Sequence, residues 1–540
     1  MISVLYIVNE SEAGGAAQSL MDMLTAARER IHAIVVIPGE GSIEARFQKM
    51  NIDYYVVPFQ TDHRKSGVHT AAEEDRVFMS NYLAALKLQK IIKREKIELI
   101  HTNSSVSNVG AIAALMAGIP HVWHIRELLE EHYGFSYLDE ALKKELFACS
   151  DTLITISDYV KNACRSRYGI DSVRIYNGVN VDRFLSGNFD VKDGHSFLLA
   201  GVISPQKGQG DAVRAAHELI RNGEEIQLYI VGGGNYQYRW LLKKYVKKHG
   251  LERNIHFLDH REDLRQLRDR CLYSITASKM EALGRVTVEA MMAGCVVIGA
   301  DTGGTAEIIG QDHSRGYLYR QGDYKSLAEM MRYAMAHREN NTEIQRRAQQ
   351  YSRDRFDTAK YLEEVMRIYE ELTRRKETPD RERKAKLQSS LDARYRSMQE
   401  KIVYRYDAGG YEKQQALQKT VQRWLCNQLD HKPMETALLE KGIHAIAIYG
   451  MGYLGCCLYD ELEEGRIAIE YVMDRRIADY DEIIKIADLE DLEEELPEVD
   501  AVVVTVLGST EQLVEDIRAK CGDMVVTLQE LLDWCEMMEG

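Results

Sequence analysis

The 540-residue sequence predicts an α/β protein built on parallel sheets. Three observations carry that expectation. Short apolar runs alternate with helix-period segments, the order that builds a parallel sheet covered on both faces. Glycine turns follow several of those runs, at Gly14-Gly15, Gly232-Gly233-Gly234, Gly303-Gly304 and between Gly450 and Gly455. The alternation stops once, from Thr373 to Glu440, which separates a large first part from a small last one.

Ile2–Val8 is the first strand, and Gly14-Gly15-Ala16-Ala17 opens a helix through Leu20 and Leu24. Strand, glycine pair and helix let backbone N–H groups approach an anion. Plain turn chemistry explains such a pair about as often. Ala33–Ile37 and Ile52–Pro58 are strands around a helix at Glu44–Met50. Thr61–Glu74 is polar and reads as an exposed loop. Asn81–Lys96 is a helix whose basic residues can attract anionic lipid, as a peripheral membrane contact, or simply solvate its outer face.

Ile97–His101 is the next strand, followed by the loop Thr102-Asn103-Ser104-Ser105 and a helix of small residues ending at Gly118. Pro120–Arg126 is a short apolar strand with His124 near its C-terminal end, where ligands of open α/β sheets bind. Arg126 and Glu127 there pair with each other or meet a ligand. Thr152–Ile156, Ser157–Tyr168 and Val173–Gly178 read as strand, helix and strand, and Asn180–Asp193 as a hinge. A second series starts at Ser196–Gly201 and continues with strands at Gln227–Val231, Ile255–Leu258, Tyr273–Ala277 and Cys295–Ala300. A helix at Asp263–Arg270 belongs to it, and Glu307 marks a helix start.

Ser278–Gly304 reads SKMEALGRVTVEAMMAGCVVIGADTGG and is the most informative stretch. A helix should begin at Gly284–Arg285 and stop at Gly294. Its free N–H groups and positive dipole end make a site for a phosphate, and Arg285 can add a full charge. Glu281 and Glu289 flank that start. Carboxylates repel phosphate but accept hydrogen bonds from hydroxyls. Hydroxyls on both sides of a diphosphate describe a nucleotide sugar.

In these residues the chain resembles glycosyltransferase family 4, retaining enzymes of the GT-B fold. The family carries a Glu, seven residues, a second Glu, an Ala-Met pair and a Gly, matched by Glu281, Glu289, Ala290-Met291 and Gly294. Leu283 stands where the family usually has phenylalanine. The resemblance implies that Glu281 holds hydroxyls of the transferred sugar and Glu289 the ribose, with Leu283, Gly284 and Arg285 against the donor. It implies that Lys207, before Gly208, contacts the diphosphate, and that the turn at His260 and Arg261 lies near the base. His124 would sit near the donor sugar and the leaving phosphate, and Gly14 and Gly15 against the diphosphate or the acceptor. The family arginine five residues before the lysine is Val202 here, and Arg285 is the candidate to replace its charge. The resemblance covers roughly Met1–Leu372, with Asp357–Leu372 as the final helix crossing back to the first domain.

The resulting architecture is GT-B, two facing Rossmann-like domains, with the acceptor side at 1–190 and the nucleotide-sugar side at 191–356. A helical linker follows at 373–440. Leu387, Leu391, Tyr395, Met398 and Ile402 share one helical face there, and Val421, Trp424, Leu425 and Leu429 suggest another. A spacer and a self-association surface, a homodimer through 387–430, both fit. Residues 441–540 form a small Rossmann-like domain with Gly450, Gly452 and Gly455 in a GxGxxG and Asp474 at a ribose position, a second nucleotide site by motif. About a hundred residues leave no room for a substrate domain, so a structural or regulatory unit fits as well.

The net charge of −15 argues against general nucleic-acid binding. Most of it is local, with eleven acids and one lysine in Asp479–Asp500. No run of 18 apolar residues suggests a membrane span, and Met1–Asn9 reads as a strand rather than a signal peptide. Nine scattered cysteines without metal spacing fit a reducing cytoplasm. The expected activity is transfer from a UDP- or GDP-linked sugar to a hydroxyl of a saccharide or lipid-linked acceptor, in synthesis of surface polysaccharide or glycoconjugate. No metal and no cofactor are implied. His124, Lys207 and Glu281 are the catalytic candidates. The rivals are a nucleotide-sugar epimerase on the same fold and a non-catalytic donor-binding partner subunit, which Val202 keeps open.

Overall fold

A computed structural model of the chain describes residues 1–10, 14–66, 70–130, 134–186, 189, 192–261, 263–375, 380–399, 419–420, 423–424, 427, 433–451, 453–462, 465–474, 486–487, 498–507, 511–521 and 524–538. Two compact units emerge. Unit 1 comprises Met1–Gly233 with Arg253–Ile402, and unit 2 comprises Gly234–Glu252 with Val403–Gly540.

Unit 1 begins with the strands β1 (Ile2–Ile7), β2 (Ile31–Ile37), β3 (Asp53–Val56), β4 (His63–Lys65), β5 (Leu99–Thr102), β6 (His121–Ile125), β7 (Phe135–Tyr137), β8 (Thr152–Thr155) and β9 (Val173–Arg174). Seven of them form a parallel sheet in the order β3-β2-β1-β5-β6-β8-β9. Side chains alternate across a strand, and β1 uses both faces. Val4 and Tyr6 enter one apolar cluster, with the helices Gly15–Ala26 and Thr358–Arg374. Leu5 and Ile7 enter the other, with the helices Ala71–Arg94 and Val109–Ala117. The second half of unit 1 holds β10 (Asp193–Ala200), β11 (Gln227–Val231), β12 (Ile255–Leu258), β13 (Cys271–Thr276), β14 (Val296–Ala300) and β15 (Tyr317–Tyr319). They form a second parallel sheet, β12-β11-β10-β13-β14-β15.

Both orders reverse beside their first strand, between β1 and β5 and between β10 and β13. Ligands of such sheets bind outside the carboxyl ends of the strands at that reversal.

Several elements differ from expectation. The polar run Thr61–Glu74 is only partly loop. β4 pairs antiparallel with β7, His63 opposite Tyr137, and Asp62 is buried. Lys143, wholly buried against the rings of Trp123 and Tyr137, reaches Asp62 at 2.6 Å. The next helix starts at Ala71, ten residues early, because the Thr70 side chain caps Glu73 N–H. Glu307 lies inside the helix Gly303–Ile309, whose start is Gly303.

The helix Arg381–Gln399 packs on the first half of unit 1. Leu391 and Met398 are buried, Tyr395 stacks on Tyr82, and Arg394 bridges to Glu74 and Asp139. This part of the face expected for self-association is therefore covered by the chain itself. Ile402, Val421, Leu425 and Leu429 lie outside the described residues, as do most of Asp479–Asp500.

Unit 2 contains β16 (Ala445–Tyr449), β17 (Ala468–Met473), β18 (Ile486–Ala487), β19 (Ala501–Val504) and β20 (Val525–Thr527), a parallel sheet in the order β18-β17-β16-β19-β20. Its core takes in a helix from the middle of the sequence, Tyr236–Lys248. Trp240 and Leu241 are buried in one cluster with Trp424, Leu438, Leu454 and Leu458. Trp240 meets the Tyr459 ring edge-on at 5.1 Å, and the Lys244 ammonium lies over both rings.

Candidate active site

The site is assembled at the carboxyl ends of β10 and β13. After β10 the chain makes a short 3₁₀ turn, Pro205–Lys207, and Gly208 closes it at φ 68°. A Cβ on Gly208 would lie 2.7 Å from the Ala277 carbonyl carbon, so only glycine lets this turn dock on the end of β13. Lys279 N–H donates to the Gln206 carbonyl at 2.8 Å and locks the two loops together. Docking brings Lys207 Nζ within 2.6 Å of Glu281 Oε1. Ser278 Oγ donates to the same oxygen at 2.6 Å.

Gly284, at φ 88°, ends the Glu281 loop and caps the helix Arg285–Met292. The loop is backed by Gly303-Gly304. Gly304 N–H donates to the Glu281 carbonyl at 2.7 Å, and a Cβ there would stand 2.5 Å from Leu283 Cα. Leu283 itself is buried beneath the loop. Glu289, one turn into the helix, is clamped by two guanidiniums: Arg268 Nη2 on Oε2 at 2.6 Å and Arg285 Nε on Oε1 at 2.9 Å. Burial acts to raise its pKa, and the two positive charges outweigh burial and hold it below the usual carboxylate range. Arg285 also reaches Asp22 of the first half, Nη2 to Oδ2 at 2.7 Å. Both side groups of Arg285 that make contacts thus end on carboxylates, and Nη1 is buried without a hydrogen-bond partner. Its charge is turned to Glu289 and Asp22. Val202 is 59% exposed.

His260 and Arg261 lie on the exposed surface just beyond β12, with His260 Cβ near the Gly233 backbone. In the first half, Gly14 caps the helix Gly15–Ala26 at the end of β1, and Gly15 faces open space. The Glu10 carboxylate packs directly on Gly14. Burial first, then the charge of Glu127, raises the Glu10 pKa.

His124 has no exposed surface. Its Nδ1 lies 3.3 Å from His101 Nε2 and 3.3 Å from Arg126 Nη2, in a buried chain that continues through Tyr369 to Tyr6. Burial first, then the Arg126 charge, keeps this imidazole neutral. Arg126 and Glu127 do not pair with each other. Arg126 donates to Asn103 at 2.8 Å and Asn177 at 2.6 Å, while Glu127 accepts from Ser104 and Ser105.

Sequence reasoning missed Asp22, Arg268 and Ser278, and it read Glu307 only as a helix start. Glu307 accepts from the N–H groups of Asp158 and Tyr159, so it caps the helix Asp158–Tyr168 of the first half. Only its place after Gly303-Gly304 hinted at a role. Asp22 is a lone acid in an apolar helix and gave no signal.

In unit 2, Gly450, at φ 95°, and Asp474 come together, with Asp474 Oδ2 accepting from Met451 N–H at 2.7 Å. Gly455 packs on the Gly450 carbonyl, and Gly452 lies outside the described residues. Among the described residues no group of three or more His, Cys, Asp or Glu is placed to hold a metal, and no helix is long and apolar enough to cross a membrane.

Two doubly wound halves that meet near their strand ends, with carboxylates and cations drawn from both, define a GT-B architecture. Comparisons with known proteins agree. Residues 187–354 match the family described as glycosyl transferases group 1, and residues 13–183 match glycosyltransferase family 4. An uncharacterized glycosyltransferase of Methanocaldococcus jannaschii is 24% identical over 341 residues, 60% of this chain and 91% of that protein. The UDP-Gal:alpha-D-GlcNAc-diphosphoundecaprenol alpha-1,3-galactosyltransferase of Escherichia coli is 25% identical over 268 residues, 45% of this chain and 67% of that protein. Among solved structures, Anabaena HepE in complex with UDP and glucose superposes with a TM-score of 0.57 at 22% identity, over 69% of this chain and all of HepE. TarM of S. aureus gives 0.56 at 12% identity, over 68% of this chain and 100% of that one. The chain belongs to the family 4 glycosyltransferases.

Proposed function

We propose that the chain is a retaining hexosyltransferase taking its sugar from a UDP-linked donor. One observation carries the reading: the Lys207–Glu281 pair stands beside the helix start at Gly284–Arg285, with Glu289 one turn further on. A diphosphate placed on that helix start would have N–H donors and the Lys207 ammonium to bind, with a carboxylate toward the hydroxyls on each side. Glu281 would then hold the transferred sugar and Glu289 the ribose. His260 and Arg261 would border the base, and Gly14 and Gly15 would face the diphosphate from the first half. UDP is favoured over GDP because HepE was solved with UDP and with UDP-glucose.

In the proposed reaction an acceptor hydroxyl attacks the anomeric carbon on the face the diphosphate leaves. The new glycosidic C–O bond forms as the bond to phosphate breaks, and the leaving phosphate oxygen takes the proton. Lys207 stabilises the charge growing on that oxygen, and the remaining contribution is orientation. His124, neutral and buried, acts as a positioning residue that holds Arg126 rather than as a group touching substrate. A saccharide or lipid-linked acceptor is inferred from the relatives, whose names include a diphosphoundecaprenol-linked one. The free cysteines suit a cytoplasmic enzyme of polysaccharide or glycoconjugate synthesis.

A thermal-shift comparison of UDP-, GDP- and ADP-glucose tests the donor, since bound ligand stabilises by mass action. UDP-glucose should raise Tm in wild type and not in Lys207→Ala. No response to any nucleotide sugar would reject the reading. Labelled UDP-glucose converted to an isomer without acceptor would favour an epimerase instead.

A further inference from the structure

We propose that Asp22 is a positioning residue for the donor site, reaching from the opposite half of unit 1 to hold Arg285 and, through it, the carboxylate of Glu289. The inference rests on Glu289 as the ribose-binding group proposed above.

The geometry is an unbroken chain of hydrogen bonds. Arg46 Nη1 donates to Gln18 Oε1 at 2.9 Å, and Gln18 Nε2 donates to Asp22 Oδ1 at 2.8 Å. Asp22 Oδ2 accepts from Arg285 Nη2 at 2.7 Å, and Arg285 Nε donates to Glu289 Oε1 at 2.9 Å. Glu289 Oε2 accepts from Arg268 Nη2 at 2.6 Å. Each oxygen of the two carboxylates therefore has its own partner. The side chains of Asp22, Arg285 and Glu289 are only 14–16% exposed, so solvent screens them little. Two carboxylates and the two guanidiniums of Arg268 and Arg285 balance in charge.

The division of labour follows from where the residues stand. Arg268, Arg285 and Glu289 belong to the second half, and their contacts survive if the halves separate. Asp22 belongs to the helix that begins at Gly15 in the first half. Without it, Arg285 keeps Glu289 as its one anchor on a long side chain at the first turn of its helix, and the partner of Glu289 Oε1 is held less firmly. Glu289 is fully oriented only while the halves are together. The helix carrying Gly14 and Gly15 at its start is thereby tied to the ribose end of the donor site.

Calorimetric titration of the full chain with UDP tests this through Asp22→Asn, Asp22→Glu, Glu289→Gln and the double variant Asp22→Asn/Glu289→Gln. Glu289→Gln should weaken UDP about tenfold or more, and Asp22→Asn roughly three- to tenfold. Asp22→Glu should restore affinity to within about twofold, because a carboxylate is again in reach. The double variant should bind no worse than Glu289→Gln alone, since Asp22 acts through Glu289. Wild-type affinity in Asp22→Asn, or losses that multiply in the double variant, would overturn the inference while the donor site stands. Wild-type affinity in Glu289→Gln, or no UDP binding by the wild type, would instead overturn the donor reading beneath it.

Discussion

The Glu307 carboxylate accepts from the backbone N–H of Tyr159 at 2.9 Å, across 148 residues of sequence. It also accepts from Asp158 N–H at 3.0 Å and from the Tyr176 hydroxyl at 2.7 Å. A side chain of the second half thus caps a helix of the first, and Ser157 Oγ donates back to the Ala282 carbonyl. Glu307→Ala should strip the N–H groups of Asp158 and Tyr159 and the Tyr176 hydroxyl of their acceptor. The expected loss is about 1–3 kcal/mol, read by urea unfolding.

Lys207→Ala should reduce turnover of the donor by about 10²-fold or more, the usual loss when a preorganised donor to a leaving oxygen is removed. Because the Lys207 and Glu281 side chains are still 34% and 19% exposed, stability should change by less than about 1 kcal/mol. Steady-state kinetics and thermal unfolding on the same sample separate the two effects. A large fall in Tm with unchanged turnover would contradict the assignment.

Gly208→Ala and Gly304→Ala should each distort the Glu281 loop, since the added Cβ meets backbone rather than a movable side chain. Each should cost about 1–3 kcal/mol and lower UDP affinity together with stability. Gly118→Ala, at φ 66° with open space around it, should cost stability alone.

Glu289 and Glu10 should respond to pH in opposite senses. For Glu289, burial raises the pKa, but Arg268 and Arg285 bring the net value below 4.5. A folded pKa below the unfolded one adds stability above the unfolded value, and that stability is lost as pH falls through the folded value. Glu289→Gln should therefore destabilise at pH 7, and its gap from wild type should narrow as pH drops from about 5 toward 3. For Glu10, burial and the Glu127 charge raise the pKa. Glu10→Gln should stabilise at pH 7, with the gain vanishing in acid. Denaturant midpoints across pH check both signs.

Trp240→Ala should destabilise unit 2 by about 3–5 kcal/mol, since a large, almost wholly buried ring would leave a cavity in its core. Hydrogen exchange should show faster opening of β16 and of the helix Tyr453–Leu462. Unchanged exchange there would place Trp240 outside that core.

How far the sequence could be read depended on whether an element announces itself locally. Central strands such as β1 and β14 are short apolar runs ended by glycine or polar turns, and they were legible. The Glu281–Glu289 spacing and Lys207-Gly208 could be picked out as local runs, but the pairing of Lys207 with Glu281 across 74 positions could not. The β4–β7 pair was not legible, because His63–Lys65 is polar and finds its partner 70 to 74 residues away. The start of Ala71–Arg94 was hidden by a charged first turn that the Thr70 cap stabilises. Asp22 and Arg285 meet across 263 positions, and nothing in either segment encodes the other. His124 looked like a ligand at a strand end, yet its neighbours His101 and Tyr369 make it interior.

The helix Tyr236–Lys248 has a consequence for synthesis of the chain. Trp240 leaves the ribosome about 180 residues before Trp424, the next member of its own core cluster along the sequence. At ordinary elongation speeds that is a wait of roughly 10–40 s with the Trp240 indole and the side chains of Leu241 and Leu242 unsheltered. The nascent polypeptide is most open to misassociation in that interval, and a chaperone that binds it then would protect the yield of both units at once.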